Sequence, residues 1–348
     1  MKKRVNLSIS NFNKKKKNIL KVIIFILLFF IINNLIGHEL ATTINDTNRY
    51  SEIKWEEFYE QSNNNIDLVF LGSSHAYRSF DPELFDKELK INSFNMGSPL
   101  QKPVESYYVL KEVLKYQKPK MIIFDVYWGM FNKETYFKTK TWNYDLMKPS
   151  FNKLNYLLHV FEPKQYFYAL FPSVRYHDKL SQYIKKKLFA STAASSKTGE
   201  YIEKYKGKGF VINKQQTSKK ELEELFKGAK KQNLEFIWDE RQMNYFIELI
   251  KLCKNENVPL LLVTAPMAPT YLKEINEHRY NYNEIHNKVS NIAKEYNLKY
   301  IDFNKINMEK DFLKDKDFSD SNHLNYKGAH KLNIYFLELI KQSYEDVY

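Results

Sequence analysis

Two short stretches hold residues whose types and spacing suit nucleophilic catalysis. Gly72-Ser73-Ser74-His75 closes the apolar run Asp67-Leu68-Val69-Phe70-Leu71, and Asp320-Ser321-Asn322-His323 lies near the carboxyl terminus. A free serine hydroxyl is a poor nucleophile and needs a base within about 3 Å. His323 is the candidate base for Ser74. Asp320, three residues earlier, can share a turn with it, hold the imidazole and stabilise the imidazolium that forms. Acyl transfer also needs donors for the tetrahedral oxyanion, and removing one typically costs about 3–4 kcal/mol. The backbone N–H groups of Ser74 and of Gly97, in Asn95-Met96-Gly97-Ser98, are the candidates. The plainer alternative makes Gly-Ser-Ser a polar turn, Asp320 an N-cap and Gly97 a turn glycine. Both motifs at opposite ends of one α/β pattern favour the catalytic reading.

Three further residues are candidates for substrate contact. His75 and Arg78 follow the serine and could meet an anionic or sugar group, or form a solvated turn and an ion pair. Asp125 could bind substrate hydroxyls or cap a loop. The chain has no glycine-rich phosphate loop, no His-Glu-x-x-His and no calcium-loop signature. Neither a metal nor a cofactor is required by serine chemistry. Cys253 is the single cysteine, in an apolar helical pattern, so no intrachain disulfide is possible.

The elements that must position these residues follow an α/β cadence. Asp67–Leu71, Ile91–Asn95, Met121–Asp125, Val258–Val263 and Tyr300–Phe303 read as near-continuous apolar strands, the pattern of a parallel sheet covered on both faces. Helices are expected after Asp81-Pro82, over Val104–Tyr116, Asp239–Asn255 and Tyr282–Tyr296, and finally over Tyr326–Gln342. This predicts a doubly wound parallel sheet, in which sites collect beyond the carboxyl ends of the strands. Ser74, Gly97 and Asp125 all fall near that edge. Between about residues 130 and 235 the alternation breaks into a Tyr-, Phe- and Lys-rich stretch with a small-residue loop at Ala190–Gly199. It reads as a largely helical insertion, a lid or subdomain whose aromatics could stack on sugars or simply form core.

The net charge of +13 on 348 residues is unevenly placed. Residues 1–37 carry eight basic residues and no acidic one, leaving five of those charges for the remainder. This removes most of the case for nucleic acid and leaves a mildly basic domain suited to an anionic polymer. Lys14–Lys17 precede Ile19–Gly37, whose centre from Val22 to Ile32 lacks charge. At about 1.5 Å per residue this can cross a bilayer, with Lys21 snorkelling. The positive-inside rule puts the N-terminus in the cytoplasm and residues from about 38 outside. An uncleaved anchor is favoured over a signal peptide because no small-x-small cleavage site follows. The expected organisation is a basic cytoplasmic tail (1–18), an anchor (19–37), a polar connector (38–65) with an amphipathic piece around Trp55–Tyr59, and an α/β domain (66–348).

These blocks resemble the SGNH (GDSL-like) hydrolase superfamily. Phe70-Leu71-Gly72-Ser73-Ser74 occupies the place of its first block, Asn95-Met96-Gly97 that of its glycine block, and Asp320-Ser321-Asn322-His323 that of its Asp-x-x-His block. The resemblance spans residues 66–126 and 238–343. It implies a flavodoxin-like three-layer α/β/α fold and an acyl-enzyme at Ser74. Ser73 stands where the family has Asp. The Gly-x-Asn-Asp block is replaced by Asp125-Val126-Tyr127-Trp128, leaving the asparagine oxyanion donor unassigned. A membrane-anchored form with Gly-Ser-Ser resembles the extracytoplasmic partners of membrane-bound O-acyltransferases, such as the D-alanyl transfer protein of the teichoic acid pathway. That resemblance implies acyl transfer to, or removal from, a cell-surface polysaccharide or teichoic acid-like polymer, with a multi-spanning acyltransferase as partner. The rival reading is a degenerate domain of this kind that binds glycan or scaffolds such an acyltransferase.

Overall fold

Seven strands appear in the computed structural model, which describes residues 2–41, 47–133, 137–189, 203–230 and 234–343. They are β1 (Leu68–Leu71), β2 (Ser93–Asn95), β3 (Met121–Asp125), β4 (Glu203–Gly207), β5 (Phe210–Asn213), β6 (Leu260–Thr264) and β7 (Lys299–Asp302). Five of them form one sheet in the order β2-β1-β3-β6-β7, parallel throughout. The chain moves outward from β1 to β2, then returns to β3 on the other side of β1. The crevice at this switch point, beyond the carboxyl ends of β1 and β3, is where a doubly wound sheet binds ligands.

Every residue of β1, β3 and β6 is buried, as expected where helices cover both faces. Leu68, Phe70, Met121, Ile123, Leu261 and Val263 share one core with Phe80, Phe85, Phe303 and Phe336. Phe70 stacks on Phe80 with ring centres 5.4 Å apart and meets Phe85 edge-on at 4.9 Å. On the other face Phe124 meets Phe246 of the Glu240–Asn255 helix at 5.9 Å. The expected helices are present as Pro82–Leu89, Pro103–Tyr116, Glu240–Asn255, Tyr282–Glu295 and Tyr326–Ser343. Asp81 and Asp239 cap theirs, accepting from the N–H groups of Glu83 and Gln242. Two helices went unforeseen, Pro269–His278 and Phe303–Lys310.

In the connector, the amphipathic piece expected around Trp55–Tyr59 is part of a longer helix, Thr47–Glu60, that buries Trp55 and Phe58 almost completely. The insertion is largely helical, as expected, and β4 and β5 add an antiparallel hairpin to it. In β4 burial alternates between half-buried and exposed on charged and aromatic residues, so it carries no apolar run to betray it. The Ala190–Gly199 loop lies outside the described residues. The chain divides into two units. The smaller comprises the described residues of 1–48 and 162–196, so part of the insertion clusters with the N-terminal helix Lys2–Ala41. The larger holds the sheet and the remainder.

Candidate active site

Ser74 reaches its position through a glycine that no other residue could replace without strain. Gly72 follows β1 at φ +145°, and a Cβ there would lie 2.9 Å from Asp125 Cβ and 3.1 Å from Ala76 Cβ. The sharp turn makes Ser73 the N-cap of the short helix Ser74–Ser79, its side chain accepting from His75 N–H at 3.3 Å. The Ser73 side-chain oxygen thus starts the helix as its N-cap. Asn95, at the end of β2, fastens the same helix. Its Nδ2 donates to the carbonyls of Ala76 (2.9 Å) and Phe80 (3.0 Å).

His323 Nε2 lies 2.7 Å from Ser74 Oγ. Its Nδ1 lies 2.9 Å and 3.0 Å from the two oxygens of Asp320. A carboxylate only accepts, so Nδ1 carries the hydrogen and Nε2 is left to accept from the serine hydroxyl. Asp320 also accepts from the backbone N–H groups of Asn322 and His323, each at 2.9 Å. Partial burial pushes its carboxyl up, but the bonds from His323 and these N–H groups outweigh that and hold it at about 2. The ion that orients the histidine is therefore present throughout the neutral range.

His75 lines the same cavity. Its ring stacks on Tyr127 at 3.8 Å and lies 4.8 Å from that of His323. Burial, and then the neighbouring His323, press its pKa well below the ordinary value, so this imidazole is neutral. Its Nδ1 has no partner among the described residues.

Three expected roles do not match the geometry. Gly97 N–H, a predicted oxyanion donor, donates instead to Asn95 Oδ1 at 3.0 Å, and Gly97 does not line the cavity. Ser74 N–H, the other predicted donor, sits in the first turn of its helix and meets no acceptor among the described residues. Arg78 turns away to Glu203 of the β4–β5 hairpin, at 2.5 Å. Asp125 is wholly buried, with Oδ1 accepting from Ala265 N–H at 2.8 Å. Neither Arg78 nor Asp125 lines the cavity.

The cavity, about 120 Å³, runs from Ser74, His75, Tyr127, Asn322 and His323 to a second wall of Lys102, Glu105, Asn132 and Lys140. Burial pushes the Glu105 carboxyl up to about 7, restrained by the Lys102 N–H, the Lys140 charge and the Tyr156 hydroxyl. Lys102 Nζ donates to the carbonyl and the side chain of Asn132. Sequence reasoning missed this wall. The one local signal was Glu105 three residues after Lys102, where its carboxylate accepts the Lys102 N–H at 2.8 Å and starts the Pro103–Tyr116 helix.

A family model covers most of this chain, from residue 14 to residue 331. The chain belongs to the family described as protein of unknown function DUF1574. No curated protein matches it. Among solved structures it is similar to a protein of Bacteroides fragilis described as a "putative acylhydrolase", at 9% identity and TM-score 0.39, covering 86% of this chain and 99% of that one. It is also similar to a GDSL-like lipase of Bacteroides thetaiotaomicron, at 8% identity and TM-score 0.38, covering 86% and 100%.

Proposed function

We propose that this DUF1574 member is a membrane-anchored serine acyl esterase or O-acyltransferase acting outside the cytoplasm on a cell-envelope polysaccharide or related glycan. The observation that carries the reading is the unbroken contact from Ser74 through His323 to Asp320, at 2.7 Å and 2.9 Å. Ser74 Oγ attacks the acyl carbonyl carbon while His323 Nε2 takes its proton, and Asp320 balances the imidazolium. The carbonyl oxygen becomes the oxyanion facing Ser74 N–H. As the tetrahedral adduct collapses, the alcohol leaves with the proton from His323, and the acyl group stays on Ser74. A glycan hydroxyl or water then gives His323 its proton, attacks the acyl-enzyme and frees the serine. Transfer and hydrolysis differ only in that acceptor.

The wall of Lys102, Glu105, Asn132 and Lys140 supports a substrate with hydroxyl or charged groups. The basic balance outside the tail supports an anionic, teichoic acid-like polymer. The resemblance to partners of membrane-bound O-acyltransferases supports such an enzyme as partner. A second reading, a glycan-binding or scaffolding domain without turnover, draws on Gly97 N–H, which is engaged by Asn95 and unavailable to an oxyanion.

The test uses the full chain in detergent with a fluorophosphonate probe and an acetyl ester. Wild type should label and turn over. Ser74→Ala should lose the label, with turnover down about 10³-fold or more, and Asp320→Asn should reduce kcat about 10²–10⁴-fold. Equal labelling of Ser74→Ala would remove the serine mechanism. An inert wild type would leave the scaffolding reading.

A further inference from the structure

The smaller unit contains a polar and small-residue stripe on an otherwise apolar helix. Residues 14–41 form a helix long and apolar enough to cross a membrane. Its apolar residues from Ile19 to Ile36 are mostly exposed, as lipid-facing residues are. On the same helix Asn33, Gly37 and Leu40 are buried. Their spacing places them on one face, and residues 170–173 of the insertion cover it at Asn33 and Gly37.

The covering contacts are specific. Asn33 Nδ2 donates to the Leu170 carbonyl at 3.3 Å, and the Ser173 hydroxyl donates to Asn33 Oδ1. A Cβ on Gly37 would lie 2.5 Å from Pro172 Cβ, so only glycine lets the two backbones approach this closely. The Phe171 ring stacks on Phe30 at 5.4 Å and tilts against Phe29 at 5.9 Å. Small residues at a close crossing and an amide satisfying a neighbouring carbonyl are how helices associate inside lipid. Non-helical backbone at membrane depth is tolerated only where protein satisfies it, which Asn33 does here for the break at Leu170–Phe171.

Helix geometry sets the level of this contact. Phe30 precedes Gly37, the last residue of the expected anchor, by about two turns, so the ring that Phe171 stacks on lies roughly 10 Å further along the helix towards its centre than Gly37. The neighbouring helix Leu180–Phe189 carries Leu180, Ile184 and Leu188 at four-residue spacing, all exposed, with Lys185 and Lys187 also exposed beside them. Phe167 and Tyr168 are exposed on the Tyr166–Leu170 helix. An apolar stripe flanked by lysines suits the interface of a bilayer with anionic lipids, where apolar faces sink about 5–10 Å.

We infer that residues 166–188 form a second, monotopic membrane element that docks on the spanning helix and lies in the interfacial layer of an anionic bilayer. This rests on the reading of residues 14–41 as a span. It gives this part of the insertion a lipid partner in place of the lid role that the sequence suggested.

The test uses full-length protein in vesicles of phosphatidylcholine and phosphatidylglycerol, with Cys253→Ser as background. A single cysteine at Phe25→Cys or Ile184→Cys carries an NBD dye, and quenching is read with doxyl groups placed shallow or deep on the lipid. Both sites are exposed, so neither dye disturbs packing. Expected are deep quenching at position 25 and shallow quenching with blue-shifted emission at position 184. Emission at 184 matching free dye in buffer, with 25 still quenched, would overturn the inference. An unquenched dye at 25 would overturn the span itself.

Discussion

Asp125 shows how far a residue's role can depart from its place in the sequence. It ends β3 near the edge where substrate-binding groups collect, yet its carboxyl is sealed in with one oxygen on Ala265 N–H and the other without a partner among the described residues. Burial raises it from 3.8 to about 7. Between those values the folded state holds a proton that the unfolded chain has released, so stability falls as pH rises through this window. Glu105, raised to about 7, adds to the same slope. Asp125→Asn keeps the acceptor for Ala265 and removes the ionisation. It should match wild type near pH 4 and be more stable above pH 7 by about 2–4 kcal/mol. Thermal melts across pH would show this as a flatter profile, and an unchanged slope would assign the dependence elsewhere. Ser74, Asp320 and His323 were legible in the sequence because local turns with recognisable residue types carry them. Gly97, Arg78 and Asp125 were not, because what decides their roles is a distant partner: the amide of Asn95, the Glu203 carboxylate and the N–H of Ala265.

At the scale of elements, the Ser74–Ser79 helix is six residues long and too short to stand on its own hydrogen bonds. Asn95 ties it to β2 through two donated bonds and takes Gly97 N–H through its oxygen. Asn95→Ala leaves the Phe80 carbonyl and the Gly97 N–H unsatisfied in a buried setting, at about 1–3 kcal/mol each before relaxation, while the Ala76 carbonyl keeps the Phe80 N–H. It should lower stability by about 2–5 kcal/mol in urea melts. It should also reduce kcat more than it raises KM, because Ser74 loses its alignment with His323. A stability loss with kcat intact would make the tether structural only. The strands of the main sheet were readable from continuous apolar runs, and the larger helices from their caps and spacing. The β4–β5 hairpin was not, since its half-buried strand alternates Glu203, Lys204, Tyr205 and Lys206. Of the Thr47–Glu60 helix only the amphipathic piece around Trp55–Tyr59 was legible, because its other residues are mostly polar, among them Lys54, which is buried and donates to Gly97 O and Ser98 Oγ.

For the whole molecule, the decisive matter is which side of the membrane carries Ser74. The buried face of Asn33, Gly37 and Leu40 is a reason to expect the N-terminal helix to stay attached, because a discarded leader has no use for a fitted partner at residues 170–173. The lysines at 14–17 precede the apolar stretch, and residues 1–37 carry no acidic charge to offset them. On the proposed reading the positive-inside rule keeps that end in the cytoplasm, and a chain crossing once would deliver the sheet and its cavity to the outside. Lys254→Cys in a Cys253→Ser background gives one exposed thiol on the sheet-bearing unit. It should react with a membrane-impermeant maleimide on intact cells, on a polypeptide that still carries an N-terminal epitope tag. Reaction only after lysis would place the cavity in the cytoplasm and exclude a cell-surface glycan as substrate. Reaction outside on a chain lacking the tag would instead mean cleavage of the leader, and with it the loss of the docking partner of residues 170–173.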